Sequence, residues 1–116
     1  EGKYTKPVNM GKIINSKHRE GDGFIAPDGS YFIFSAFIPG NIGSGDLYIS
    51  FRRNSKWTKP RNMGPRINSK ACELTPLVSP DGRFLFFASN RSGSDDIYRV
   101  PADLIQQLKK NNIRNY

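Results

Sequence analysis

The side chains best able to do chemistry in this chain are acids that come in matched pairs. Asp28 and Asp81 each stand in a Pro-Asp-Gly triplet, Glu20 and Glu73 form a second pair, and Asp46, Asp95 and Asp96 border loops rich in Ser and Gly. Two carboxylates held together can divide general acid and base work between them. A carboxylate inside Pro-Asp-Gly is instead placed to accept backbone N–H bonds from its own turn. Asp28 and Asp81, with Gly29 and Gly82 behind them, therefore read as structural turn residues. Glu73 has a cationic partner available in its own half of the chain, Arg91, and reads as one side of an ion pair. Asp46, Asp95 and Asp96 could offer oxygens to Ca²⁺, but their spacing completes no loop that supplies the required six to eight or so ligands. The one histidine, His18, has no second histidine for zinc or a dyad, and the single cysteine, Cys72, belongs to the other half. Gly43-Ser44-Gly45 and Gly21-Asp22-Gly23 precede no helix, so neither is a phosphate cradle. The residues assign no catalytic group, no metal and no cofactor.

Charge is the second signal. Eighteen Lys and Arg face ten Asp and Glu, a net charge of +8. Residues 2–19 and 47–72 carry cations and no acid. Such stretches attract anionic partners over long range, or simply keep a surface solvated. Nucleic acid is disfavoured, because it needs exposed aromatics interleaved with the cations. Only Tyr4 and Trp57 fit, and both read as strand packing. No apolar run approaches the 18 or so residues of a membrane span, and no leader with a basic, apolar and small-residue pattern stands at the start.

The elements that must position these groups are announced by repetition. Lys3-Tyr4-Thr5-Lys6-Pro7 returns 53 residues later as Lys56-Trp57-Thr58-Lys59-Pro60. Asn9-Met10-Gly11 returns as Asn62-Met63-Gly64, Ile14-Asn15-Ser16-Lys17 as Ile67-Asn68-Ser69-Lys70, and Pro27-Asp28-Gly29 as Pro80-Asp81-Gly82. The register then slips by three, aligning Asp46-Leu47-Tyr48 with Asp96-Ile97-Tyr98. Short β-branched and aromatic runs separated by Gly and Pro predict strands. In the second copy these are 73–79, 84–89 and 96–100; in the first, 23–26, 31–35 and 46–51, with a fourth around 56–59. The run Phe84-Leu85-Phe86-Phe87-Ala88-Ser89 predicts a strand covered on both faces. Leu104, Ile105 and Leu108 share one side of a helix over 101–110, which packs against the last copy, and 111–116 reads as a loose tail.

A period of about 50 residues made of strands is the mark of a propeller or solenoid array, whose units bury their faces against neighbours. Ser79-Pro80-Asp81-Gly82-Arg83-Phe84-Leu85-Phe86-Phe87-Ala88-Ser89-Asn90-Arg91, followed by Asp96-Ile97-Tyr98, resembles the WD40-like β-propeller repeat of the TolB type. The Trp-Thr-Lys-Pro and Asn-Met-Gly-Pro-Arg-Ile-Asn-Ser stretches are similar to a version common in bacterial envelope and exported proteins. The first copy departs from that pattern: Gly23 replaces Pro76, the Arg91 position is lost within Phe37-Ile38-Pro39-Gly40, and the loop before Asp46 is three residues longer, which makes that loop the better candidate for a specific role. The resemblance implies an all-β fold of two four-stranded antiparallel blades, with repeats at 3–55 and 56–100 and a C-terminal helix and tail at 101–116. It also implies a periplasmic or exported location; with no cluster of acids and a basic charge, the expected function is a non-catalytic scaffold that binds a protein or an anionic ligand. The alternative is a piece of a propeller enzyme acting on polysaccharide or peptide, which would require converging acids with a His or metal ligand. In propellers of this strand order, loops 10–19, 37–45, 63–72 and 90–95 share one face, so Lys12, Lys17, Arg19, Arg66, Lys70 and Arg91 are expected to form a basic ligand-binding surface. Two repeats fall below the three or so of a self-sufficient array, and the chain opens on Glu1. The expectation is a piece of a larger protein, or a homo-oligomer in which residues 3–6 of one copy complete the last blade of the next.

Overall fold

The computed structural model describes residues 5–114. Two antiparallel sheets are packed together. The first contains β1 (Arg19–Ile25), β2 (Tyr31–Phe37) and β3 (Asp46–Arg53), with two short pieces, β4 (Lys56–Trp57) and β5 (Arg61–Asn62), both paired to β3. The second contains β6 (Glu73–Val78), β7 (Phe84–Ser89) and β8 (Asp96–Pro101), in that order, followed by α1 (Leu104–Arg114). The Pro-Asp-Gly triplets set the first hairpin of each sheet. Gly29 and Gly82 both adopt φ +74°, which costs glycine little, and their amides donate to Ala26 and Ser79 at 2.8 Å. Asn54 (φ +50°) and Ser55 (φ +67°) supply the two-residue turn between β3 and β4, whose left-handed backbone matches strand twist.

The fourth strand expected at 56–59 is present but broken. β4 pairs with Arg52 and Arg53, β5 pairs with Tyr48 and Ile49, and Pro60 lies between them with no N–H to give. Thr58 bridges the gap through its side chain: its Oγ1 accepts the Phe51 amide at 2.9 Å while its own amide donates to the Phe51 carbonyl at 2.8 Å. Of the matching segment 3–6, Lys3 and Tyr4 lie outside the described residues, and Thr5 and Lys6 are exposed and in no strand.

The main core fills the space between the sheets. Ile33, Leu47, Ile49 and Phe51 of the first sheet meet Val78, Leu85 and Phe87 of the second, with Met63 and Ile67 inserted between them. Leu104 and Ile105 close one end, which is why α1 begins there. The helix differs from its expected bounds. Pro101 ends β8, the helix starts at Leu104, and it continues to Arg114 through the segment expected to be loose. A second cluster, Ile14, Phe34, Ala36 and Tyr48, covers the far side of the first sheet. Residues 33–36 of β2 are thus buried on both faces. β7 corrects the expectation made for it: Leu85, Phe87 and Ser89 are buried, but Phe84, Phe86 and Ala88 are only half-buried. The first sheet covers one face of β7, and no described element covers the other.

The long loop before β3 stitches the two repeats together. Ser44 donates to the Ala71 carbonyl at 3.0 Å and Glu73 to that of Gly45 at 2.9 Å. Gly43 comes so close that an added Cβ would lie 2.2 Å from the Ser69 carbonyl oxygen and 2.3 Å from that of Ala71. Those are backbone atoms, so relief requires the chain to move. Gly43→Ala should cost about 1–3 kcal/mol, the usual penalty for forcing backbone shifts in a packed region. Urea denaturation checks this.

Candidate functional site

Each repeat builds a small polar hook just before its first long strand. In residues 62–68, Asn62 Oδ1 accepts the Gly64 amide and Asn68 Nδ2, both at 2.8 Å, and the Asn68 amide donates to the Gly64 carbonyl at 2.8 Å. Residues 9–15 reproduce it. Asn9 Oδ1 accepts the Gly11 amide at 2.8 Å and Asn15 Nδ2 at 3.0 Å, and the Asn15 amide donates to the Gly11 carbonyl at 2.8 Å. Gly64 and Gly11 take φ +88° and +92°, which is why glycine recurs at that step. The hooks differ in what they hold. Asn68 is 2% exposed and grips the main chain of Leu47, accepting its N–H at 2.8 Å and donating to its carbonyl at 3.0 Å. Asn62 Nδ2 donates at 2.8 Å to Asp46 Oδ2, and the Ile42 and Gly43 amides complete the shell of that buried carboxylate. Asn9 and Asn15 are exposed.

Beyond each hook a serine anchors a glutamate. Ser69 donates from its amide at 3.0 Å and its hydroxyl at 2.5 Å to Glu73, and the Ser16 hydroxyl bonds Glu20. Glu73 is fully buried. It also receives the Ser89 hydroxyl at 2.8 Å and pairs with Arg91 at 3.4 Å, the partner read from the sequence. Arg91 in turn donates to the Ile67 carbonyl at 2.6 Å and to Ser89 Oγ at 3.0 Å, and its guanidinium lies 5.5 Å from the Phe87 ring centre and 4.8 Å from that of Tyr98. In the first repeat Ile38 stands at the Arg91 position. There the walls enclose a cavity of about 440 Å³ lined by Ile14, Glu20, Phe34, Ile38 and Tyr48, with Lys12, His18 and Lys59 among the other lining residues.

The six cations expected to form one basic surface do not share one environment. Lys12, Lys17, Arg19, Arg66 and Lys70 are exposed, and Arg19 lies over the Phe37 ring at 5.1 Å. Arg66 reaches Gln107 of α1 at 3.4 Å, and Arg91 is engaged with Glu73 as described. Asp28 accepts the Ser30 amide at 3.0 Å; Asp81 accepts the Ser79 hydroxyl at 2.6 Å and the Arg83 amide at 3.0 Å. These bonds, led by the Ser30 side chain for Asp28 and the Ser79 hydroxyl for Asp81, hold both carboxyls below the usual range. Burial pushes the Cys72 thiol up, against a nucleophilic thiolate. Among the described residues no three His, Cys, Asp or Glu side chains gather as metal ligands would, and no helix is long and apolar enough to cross a membrane. Sequence reasoning missed the asparagines. Their signal was available in the identical spacing of Asn-Met-Gly and Ile-Asn-Ser in both copies.

This is a mostly β chain of antiparallel sheets with a short C-terminal helix, and the Asn68–Leu47 and Asn62–Asp46 bonds join its two halves. No known family profile matches it. It is similar to the Tol-Pal system protein TolB of Desulfotalea psychrophila, 28% identical over 106 residues, a stretch that covers 84% of this chain and 22% of that protein. The chain thus spans about a fifth of the length of the curated relative it matches.

Two outcomes follow from this geometry. Arg91→Met removes a charged donor from buried Glu73 and should lower stability by about 1.5–3 kcal/mol, read by urea denaturation. Asp28 and Asp81 have lowered values when folded, so their stabilisation is full above the ordinary carboxylate range. It is lost as pH falls through the lowered values. The melting temperature should therefore drop below about pH 4, and Asp28→Asn with Asp81→Asn should flatten that drop. An undiminished acid slope in the double variant would remove the turn carboxylates from the account.

Proposed function

We propose that the chain forms two adjoining blades of a β-propeller, with repeats at 3–55 and 56–100, and acts as a non-catalytic interaction scaffold in a bacterial envelope or exported setting. One observation carries the reading: the two outer surfaces are the separated halves of the inner seam. At the seam, Ile33, Leu47, Ile49 and Phe51 face Leu85 and Phe87 across Met63 and Ile67. On the outer side of the second sheet, the counterparts of the first group are Phe86, Ile97, Arg99 and Pro101, with Ile97 70% exposed. On the outer side of the first sheet, the counterparts of the second group are Phe32 and Phe34, already carrying Met10 and Ile14. A further module of the same kind fits either side. A closed ring of such modules would cover the edge of β8 that no described strand pairs.

The likeness to a Tol-Pal system protein favours work within a protein assembly. The TolB-type repeat signature favours a periplasmic or exported site. Lys12, Lys17, Arg19, Arg66 and Lys70 are exposed cations available to a protein partner or anionic ligand, and the net charge of +8 would speed encounters with anionic ones at low salt.

In solution the chain should associate head to tail, residues 8–15 of one copy meeting β8 of another. Light scattering should give a mass that rises above one chain with concentration, and Ile97→Glu should return it to one chain. A single-chain mass at every concentration, with the amides of 97–100 already protected from hydrogen exchange, would show that β8 is covered from within its own chain and would overturn the reading.

A further inference from the structure

The two repeats build one niche twice and fill it once. In the second repeat Phe87 and Tyr98 stack with ring centres 6.1 Å apart and planes 21° off parallel. Glu73, fixed by Ser69, and the Ile67 carbonyl complete the walls around the Arg91 guanidinium. In the first repeat the counterparts Phe34 and Tyr48 stack at 6.2 Å and 25°. The Ser16 hydroxyl bonds Glu20 as the Ser69 hydroxyl bonds Glu73, and the hook carrying Ile14 repeats the three asparagine-glycine and asparagine-asparagine bonds of the hook carrying Ile67. Asn41 Oδ1 accepts a hydrogen bond from the Tyr48 hydroxyl and Asn41 Nδ2 donates to the Ala36 carbonyl at 2.9 Å, which sets the ring in place. Two features differ: Ala36 replaces Ser89, whose hydroxyl bonds both Glu73 and Arg91, and the cation is missing. Ile38 stands where Arg91 would be, packs with the apolar cluster, and leaves the cavity of about 440 Å³.

We propose that this cavity is a binding site for a guanidinium group brought by a ligand, the arginine side chain of a peptide or protein. The chemistry matches the walls. A planar, weakly hydrated cation stacks on aromatic faces and directs several N–H donors in its plane. Glu20 offers a half-buried carboxylate to those donors. Lys12 and Lys59 also line the cavity and are exposed, so a carboxylate carried beside the guanidinium offsets their charge. A docked neighbour need not close the site. Arg91 keeps 31% of its side chain exposed although the first sheet packs against its niche. The inference stands on the likeness of the two niches and does not require that a propeller ring closes.

The probe is N-acetyl-L-arginine, with N-acetyl-L-citrulline as the neutral isostere, titrated into the isotopically labelled chain and followed by NMR. Binding should be saturable on the order of 1 mM, as befits a single cationic group. Shifts should centre on Ile14, Glu20, Phe34 and Tyr48, and citrulline should produce none that saturate. Glu20→Gln should weaken binding about tenfold or more, the size of one charged hydrogen bond. Ile38→Arg supplies the guanidinium from within the chain, and should abolish binding and raise the melting temperature. Absence of saturable shifts, an equal response to citrulline, or full binding by Glu20→Gln would each overturn the assignment, whatever the folding of the Ile38→Arg chain. Association of copies is read separately by mass, so its failure leaves this result standing.

Discussion

Burying β3 is the constraint on which the rest of the structure depends. Residues 46–51 are all buried, so their main-chain N–H and C=O groups must find partners inside the protein. β2 satisfies one edge. The other is closed in succession by four different devices: β4 at Arg52 and Arg53, the Thr58 side chain and amide at Phe51, β5 at Ile49 and Tyr48, and Met63 with Asn68 at Leu47. Pro60 would break a continuous fourth strand, and the side chains of Thr58 and Asn68 restore the bonds that a regular ladder would have made. β8 is the corresponding strand of the second repeat. Its described pairing is with β7 alone, and its first two residues are exposed.

How much of this was legible depended on whether the physics was local. The Pro-Asp-Gly turns, the strands that follow them and the apolar face of the helix are set by residues close in sequence, and they stand where periodicity and turn chemistry put them. The pairing of Glu73 with Arg91 was also readable, because both lie in one repeat. Of the asparagine hooks only the repeated spacing was visible; what they hold was not, since Asn68 acts on Leu47, 21 residues away and in the other repeat. Nor could composition tell β2 from β7. Both are aromatic runs, but their burial depends on how many sheets and hooks stack on them, which is a property of the array. The long loop before β3 reads as a place for a specific role; its glycines at 43 and 45 are explained by close approach to residues 69–72, while its Ile38 lines the cavity of the first repeat.

Duplication has left the two copies with the same frame and different contents. The hook, the serine–glutamate anchor and the stacked aromatic pair are kept in both. The niches differ where Ser89 and Arg91 in one copy are Ala36 and Ile38 in the other. In the second repeat a buried carboxylate has its cation within covalent reach, which favours a rigid seam. In the first, the carboxylate is left half-buried beside an aromatic floor, so the same frame is open to a group from outside.

The sequence period and the folding unit are out of phase. The period begins at the fourth strand, but β4, β5 and the hook at 62–68 close the edge of the sheet that precedes them. Dividing the chain at the visible repeat boundary would strip β3 of its outer edge and leave the detached strand leading a unit that it does not complete. A self-consistent piece runs instead from the start of β1 through Asn68. Any rearrangement of such genes that added or removed whole modules would keep every buried strand edge satisfied only by cutting after the hook, and the stagger therefore acts as a covalent tie between neighbours.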